Sequence, residues 1–470
     1  MSFHSLDYAV FLIAVLGIYW SLGARWQNRM LIPASWIFYG YVHPWFLIPF
    51  FATTLIDYVV AIGLESSRIN RRLLVAASVC SNVGLLAVFK YYDFFAANVG
   101  EALEALHLHV PLPVLAVVLP AGISFYTFQS VGYVVDVYRG HVRACRSLVD
   151  YALFVAFFPL LVAGPIQRAG DFLAQIQRPR TLEPSRFLSA LYLLIWGVFK
   201  KVVIADNVAI TANKIFALKE LSFPVLWVGV FAFCIQIYAD FSGYTDIARG
   251  SARLFGFELS PNFNHPYIAQ SPTDFWRRWH ISLSTWIRDY IYIPLGGSRG
   301  TQARITVNLI IVFLLTGLWH GASWNFVLWG LYYAVLTILY RAADRLFPNR
   351  AAGQWPMNVA RVILMFALTN LGWLIFRERN LGQLAHDLTL SPLAAPAMDW
   401  DVARYIGMLT LIYSLPLWIH TLWDLKLRYI FAAREPALFL WLTPVVTTLL
   451  FMGVLTLRSE TASDFIYFQF

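Results

Sequence analysis

Apolar residues in this chain come in runs of membrane-spanning length separated by short basic loops, a pattern that predicts helices packed in a bilayer. The runs lie at residues 6–23, 31–42, 45–64, 73–95, 114–137, 187–204 and 223–241, as two arms within 305–340, and at 362–376, 405–423 and 438–457. Basic loops orient them, because Lys and Arg accumulate on the cytoplasmic side. The loop after the first run carries Arg25 and Arg29, and the next basic loop carries Arg68, Arg71 and Arg72. Two crossings that turn at His43-Pro44 fit between these loops, with the N-terminus outside. Residues 98–113 hold acids and histidines but no Lys or Arg, which marks an external loop. The count is eleven or twelve crossings.

Two segments break the pattern. Residues 151–166 are apolar, yet basic residues flank both sides and Pro159, Gly164 and Pro165 interrupt the run, so a re-entrant or interfacial segment is expected. Residues 242–304 contain no spanning run but interleave aromatics with Arg249, Arg253, Arg277, Arg278, Arg288, Arg299 and Arg304. Amphipathic or re-entrant helices facing the cytoplasm are expected there. Within them, WRRWHISLSTWIRDYIY reads as an interfacial amphipathic helix with Trp and Tyr at headgroup depth. Its arginines either meet lipid phosphates or hold an acidic cytosolic donor at the mouth of a pore, with Arg288 as the substrate contact and His280 facing inward. The fold class expected is an all-α polytopic integral membrane protein, one domain over residues 1–470 without a soluble module.

Composition agrees: 59% of residues are hydrophobic, 17% aromatic and 13% charged, with a mean hydropathy of +0.62. A water-soluble fold could not hide so much apolar surface. The net charge of +9 resides in loops between apolar runs, so it reads as membrane anchoring and not as a nucleic-acid surface. Cys80, Cys145 and Cys234 are far apart and form neither a disulfide framework nor a metal pattern. The first run lacks a basic flank before it and a small-residue cleavage pattern after it, and is expected to stay as a span.

Candidate chemistry centres on His320 in LLTGLWHGASWNFVLWG, an imidazole inside a stretch almost free of titratable groups. Hydrocarbon penalises such a group unless it is satisfied or faces water, so it points to function or to a packing hydrogen bond. Arg304 and Arg341 flank the stretch, so it forms a hairpin turning near residues 317–323. At ~1.5 Å per residue, an arm of about fifteen residues climbs about 22 Å and leaves His320 deep in the membrane. A neutral imidazole can take a proton from an alcohol and return it, which favours group transfer to a hydroxyl. No HExxH motif and no His–carboxylate cluster at ligand spacing are present, and no metal is expected. His320 is followed five residues later by Asn325, so the acyltransferase pattern of His followed five residues later by Asp is missing. Gly296, Gly297 and Gly300 with Arg299 could approach a phosphate or form an ordinary loop. Asp240 and Asp246 are expected to pair with Arg249 or Arg253.

The order of YADFSGYTDIARG, the Asn- and Trp-rich segment through WRRWHISLSTWIRDYIYIPLGG, and LLTGLWHGASWNFVLWG resembles the membrane-bound O-acyltransferase family. It is most similar to the bacterial branch with the alginate O-acetyltransferase membrane subunit and, more distantly, the D-alanine transfer protein of teichoic acid modification. FYGYVHPWF, LPAGISFYTFQSVGYVVDVYRG, FFPLLVAGPIQR and FIYFQF carry the likeness across the chain, with core motifs at 233–340. The resemblance implies helices around a thinned core with a central tunnel. It also implies catalytic roles for His320, matching the near-invariant histidine, and His280, matching the second histidine of the branch. On that basis acetyl-CoA is the expected cytosolic donor substrate, with no permanently bound cofactor. His320 acts as general base, and Trp319, Trp324 and Asn325 are candidate donors to an oxyanion.

The resemblance further implies the bacterial cytoplasmic membrane as location and a periplasmic or extracellular acetyltransferase partner acting on a polysaccharide such as alginate. FIYFQF is a candidate docking element or an aromatic tail at the interface. A flippase or secondary transporter is the competing class, although WRRWH and TGLWHGASW have no second copy in the other half of the chain. A lipid or protein acceptor would leave the chemistry unchanged.

Overall fold

A computed structural model describes residues 1–66, 70–116, 118–162, 164–346, 355–427, 436–461 and 465–466. The chain opens with α1 (Leu6–Ser21), α2 (Ala24–Gly40) and α3 (Leu47–Leu64). Next, α4 (Arg71–Leu86) continues through a π-helical turn, Ala87–Tyr91, into α5 (Tyr92–Ala105), and α6 (Ile123–Arg139) returns. Short helices α7 (Leu148–Ala156), α8 (Phe158–Leu161) and α9 (Ala169–Gln177) precede α10 (Pro184–Phe199), which runs through a second π turn, Lys200–Ala205, into α11 (Asp206–Phe216). The long α12 (Phe223–Leu254) is followed by α13 (Pro272–Arg278) and α14 (Ile281–Ile287), the latter ending in the π turn Arg288–Tyr292. The remainder comprises the hairpin α15 (Gln302–His320) and α16 (Trp324–Leu346), then α17 (Trp355–Arg377), α18 (Leu381–Asp387), α19 (Ala397–Leu422) and α20 (Pro436–Leu457). No strand occurs among the described residues.

Among the described residues, eight helices are long and apolar enough to cross a membrane, and α1 and the described end of α20 add shorter apolar ones. The sequence count of eleven or twelve also took in the runs that become α2 and α6. These are more polar because they face protein: α2 buries Gln27 and Asn28, and α6 buries Ser124, Thr127, Gln129 and Ser130. The expected helix at 114–137 starts later, at Ile123, and Asp93 accepts from the Leu115 and Ala116 N–H groups that precede it.

The α12 helix is the central element, with most of its length buried. It crosses α10 closely: a Cβ on Gly197 would lie 2.7 Å from the Gly243 carbonyl, and one on Gly250 would lie 2.9 Å from that of Ala190. The same device closes the α15–α16 hairpin, where a Cβ on Gly317 would sit 2.1 Å from the Phe326 carbonyl and one on Gly330 2.3 Å from that of Phe313. Small residues let helix backbones touch where no hydrophobic effect drives association.

The 151–166 segment is not interfacial. Its described residues are buried inside the protein, Ala152 only partly, and Ser35 Oγ accepts from the Phe158 N–H at the break between α7 and α8. Irregular backbone at this depth is tolerated because protein covers it. The expected interfacial helix at 276–292 is broken instead. Trp279 is extended and His280 is left-handed (φ 43°), so the chain dips inward and buries both side chains.

Candidate active site

Helix α15 ends on His320, and its last carbonyls are held by another span. Lys90 Nζ donates to the carbonyls of Trp319 and His320 (3.2 Å to the latter), while Tyr91 donates to that of Leu318 at 2.8 Å. Both come from the π turn after α4, a local departure from α-helix of the kind often found at functional sites. A cation at a helix C-terminus satisfies its orphan carbonyls and opposes the negative end of its dipole. The His320 side chain is walled by Trp319 (ring centroids 4.8 Å), Trp329 (4.9 Å) and Phe376 (5.2 Å).

His280 reaches the same place from the opposite direction. Left-handed backbone in a residue other than glycine stores about 1–2 kcal/mol and persists only where the surroundings enforce it. Asn262 supplies that enforcement. Its carbonyl accepts from Ile281 N–H (2.9 Å), and its side-chain oxygen accepts from Ser282 N–H (3.3 Å) and Ser282 Oγ (2.6 Å), so it caps α14 from a separate segment. The His280 ring then lies between Phe241 (4.8 Å) and Trp319 (5.7 Å). One indole, Trp319, therefore packs edge-on against both imidazoles.

The other residues singled out from sequence separate. Asn325 is buried, but its amide donates to the carbonyls of Ile375 (3.3 Å) and Phe376 (2.9 Å). It caps α17 and so places the Phe376 ring on His320, with its amide turned to that helix end. Trp324 is half exposed and donates to Asn98 Oδ1 at 2.8 Å, so its N–H is also committed elsewhere. Arg288 is exposed and pairs with its neighbour Asp289 (2.7 Å), which also holds Arg168 (2.7 Å).

That arginine cluster is nevertheless connected to the site. Arg139 and Arg168 lie over the Tyr290 ring, and Tyr290 donates to Asp136 at 2.7 Å. Burial, helped by this bond, pushes the Tyr290 phenol above its ordinary value and keeps it a neutral donor. From Tyr290 an aromatic ladder runs to Trp286 (4.9 Å), Phe128 (4.1 Å) and Trp319 (5.8 Å).

Asp240 and Asp246 take lysines as their main partners. Lys201 sits between Asp240 (2.9 Å) and Asp206 (2.8 Å), and Lys200 binds Asp246 at 2.7 Å, with Arg249 further off at 3.3 Å. Arg253 pairs with Glu258. The glycine loop is a turn, with positive φ at Gly296, Gly297 and Gly300, packed against Arg304. Phe465 and Ile466 are buried, with Ile466 N–H donating to Asp240 Oδ2 (2.7 Å) and Phe465 against Tyr244 (4.3 Å). The front of FIYFQF is thus an internal anchor and not a docking surface. Residues 467–470 of that motif lie outside the described residues.

Sequence reasoning missed Lys90, Tyr91 and Asn262. Lys90 carried a signal, a lysine inside an apolar run, whereas nothing in sequence pairs Asn262 with α14.

Residues 141–376 match the model of MBOAT, the membrane-bound O-acyltransferase family, and these include both histidines. The chain is 41% identical over 377 residues to the probable alginate O-acetylase AlgI of Azotobacter vinelandii, covering 79% of this chain and 74% of that protein. The chain belongs to the membrane-bound O-acyltransferase family. It is also 35% identical to a peptidoglycan O-acetyltransferase of Helicobacter pylori (75% and 71% covered). Identity to a teichoic acid D-alanyltransferase of Bacillus subtilis is 30% (54% and 68% covered). The protein is therefore a multi-pass membrane O-acyltransferase, and the transporter alternative falls away. Both buried histidines lie within the matched span.

Proposed function

We propose that this chain takes an acetyl group from acetyl-CoA on the cytoplasmic side of a bacterial cytoplasmic membrane and passes it outward for O-acetylation of an exported polysaccharide such as alginate. The observation that carries the proposal is Trp319, which touches both His280 and His320 and links a segment of cytoplasmic character to the tip of the hairpin. The aromatic ladder from Arg139 and Arg168 offers the donor a cationic entrance for phosphates and an apolar wall for its acyl arm.

In this scheme His320 takes the proton of the acceptor hydroxyl while the oxygen attacks the thioester carbonyl. The carbon–sulfur bond breaks, the thiol leaves with the proton returned by the imidazole, and an oxygen ester remains. His280 orients the donor or protonates on its side. The acetyl choice follows the relatives named for O-acetylation, and a periplasmic partner that completes esterification is part of the proposal.

The test uses proteoliposomes carrying the full chain, acetyl-labelled CoA on one side and an alginate oligosaccharide on the other. CoA release with label on the far side, abolished by His320→Ala, is the expected result. Release that persists in folded His320→Ala protein overturns the base assignment. No release, even with a candidate partner present, overturns acetyl-CoA as donor.

A further inference from the structure

Three potential metal ligands cluster away from the two-histidine site. His265 lies in the connection after α12, while His420 and Asp424 are four residues apart on α19 and the π turn that extends it, Trp423–Leu427. One ligand atom from each lies within 4.8 Å of the others. All three line a cavity of about 700 Å³ between α10, α12, α19 and α20.

The contacts at His265 direct one ring nitrogen at a carboxylate. Thr421 donates to the Leu417 carbonyl (2.8 Å), and with its proton so placed its oxygen accepts from His265 Nδ1–H at 3.0 Å. In that tautomer the Nε2 lone pair, the one a metal ion would take, faces Asp424 Oδ2 at 3.2 Å. The other carboxylate lining the cavity, Asp246, is already committed to Lys200 and Arg249, and Arg253 to Glu258.

The arrangement also has the habits of a metal site. A ligating histidine donates its second ring nitrogen to a partner that fixes its tautomer, as Thr421 does here. His265 adopts a left-handed backbone (φ 46°), held against the helix that supplies the other two groups. His420 is oriented by stacking on Trp196 at 5.0 Å, and its Nδ1 is 3.7 Å from Asp424. Zinc bonds of ~2.0–2.2 Å at tetrahedral angles put ligand atoms about 3.4 Å apart, close to both separations from Asp424.

We propose that His265, His420 and Asp424 bind one divalent transition-metal ion of the zinc class, with its open coordination position facing the cavity. Two imidazoles and one carboxylate suit such an ion, and a fourth position is left for water or an anionic oxygen. The ion ties the 255–271 connection to α19.

The test uses the full chain purified in detergent without a polyhistidine tag, stripped with chelator, then titrated with Co²⁺ and separately with Zn²⁺. Expected are tetrahedral Co²⁺ absorption bands in the visible and one zinc per chain by elemental analysis. Asp424→Asn and His420→Gln should abolish both signals. Thr421→Val, which removes only the Nδ1 acceptor, should weaken binding by about 10–100-fold while leaving the ligands in place. His280→Ala should bind as wild type, which separates this site from the Trp319 cluster. Failure of the folded wild-type chain to take up either ion overturns the proposal, and so does uptake unchanged in Asp424→Asn.

Discussion

Lys90→Met removes the ammonium that holds the end of α15 and leaves a side chain of similar length. The Trp319 and His320 carbonyls lose their charged donor, while Tyr91 keeps that of Leu318 at 2.8 Å. Hydrogen bonds to a charged group contribute about 1.5–3 kcal/mol each. A cation at a helix C-terminus adds about 0.3–1 kcal/mol. Part of that sum only offsets the cost of burying an ammonium, and methionine packs in the volume of the lysine stem, so the net loss is about 2–4 kcal/mol. Part of this relaxes as movement of the final turn, and a misplacement of about 1 Å at a reacting group lowers rate by about 10²-fold. Lys90→Met should therefore remain folded with lowered thermal stability, while kcat for CoA release drops about 100-fold and KM for the donor changes less than about threefold. Lys90→Arg, which keeps a charged donor, should recover part of kcat. Thermal unfolding in detergent together with steady-state kinetics in proteoliposomes reads both quantities. A folded Lys90→Met chain with wild-type kcat would refute the claim that the α15 cap positions His320.

Three further outcomes are expected. His320→Ala should fold yet lose about 10²–10⁴-fold in transfer rate, and His280→Ala should show a large but incomplete loss, both read as kcat. Gly317→Val places a Cβ 2.1 Å from the Phe326 carbonyl, so the hairpin must open. Overpacking of this kind costs about 1–3 kcal/mol, and a lower unfolding temperature is the readout. Asp240→Ala leaves buried Lys201 short of a carboxylate and Ile466 N–H without its acceptor. A loss of about 3–5 kcal/mol is expected, with faster proteolysis after α20; unchanged stability would show that Asp206 alone suffices for Lys201.

Much of the architecture was legible because bilayer solvation acts on each segment separately. An apolar run must be a helix, whatever it packs against, since its backbone polar groups have no other partner. The α15–α16 hairpin followed from Arg304, Arg341 and the glycines near its tip, and His320 stood out as an imidazole where hydrocarbon penalises one. The same logic misplaced 276–292, because aromatics beside arginines describe an interfacial helix as well as one that dips into protein. Only the contact of Asn262 with Ile281 and Ser282 turns His280 inward. Asn325 illustrates the converse: a polar residue beside the His320 motif reads as a candidate donor, while the fold turns its amide to the Ile375 and Phe376 carbonyls.

Length, apolarity and charge placement along the chain thus determined that this is a helical membrane protein with an intramembrane histidine, because each acts through the local cost of putting a group in hydrocarbon. Pairing belonged to the tertiary structure. Lys90 with the end of α15, and His265 with His420 and Asp424, join residues well over a hundred positions apart, and Trp319 meets His280 from a separate segment. No local property of either partner encodes such contacts, since their energies exist only once the helices have packed.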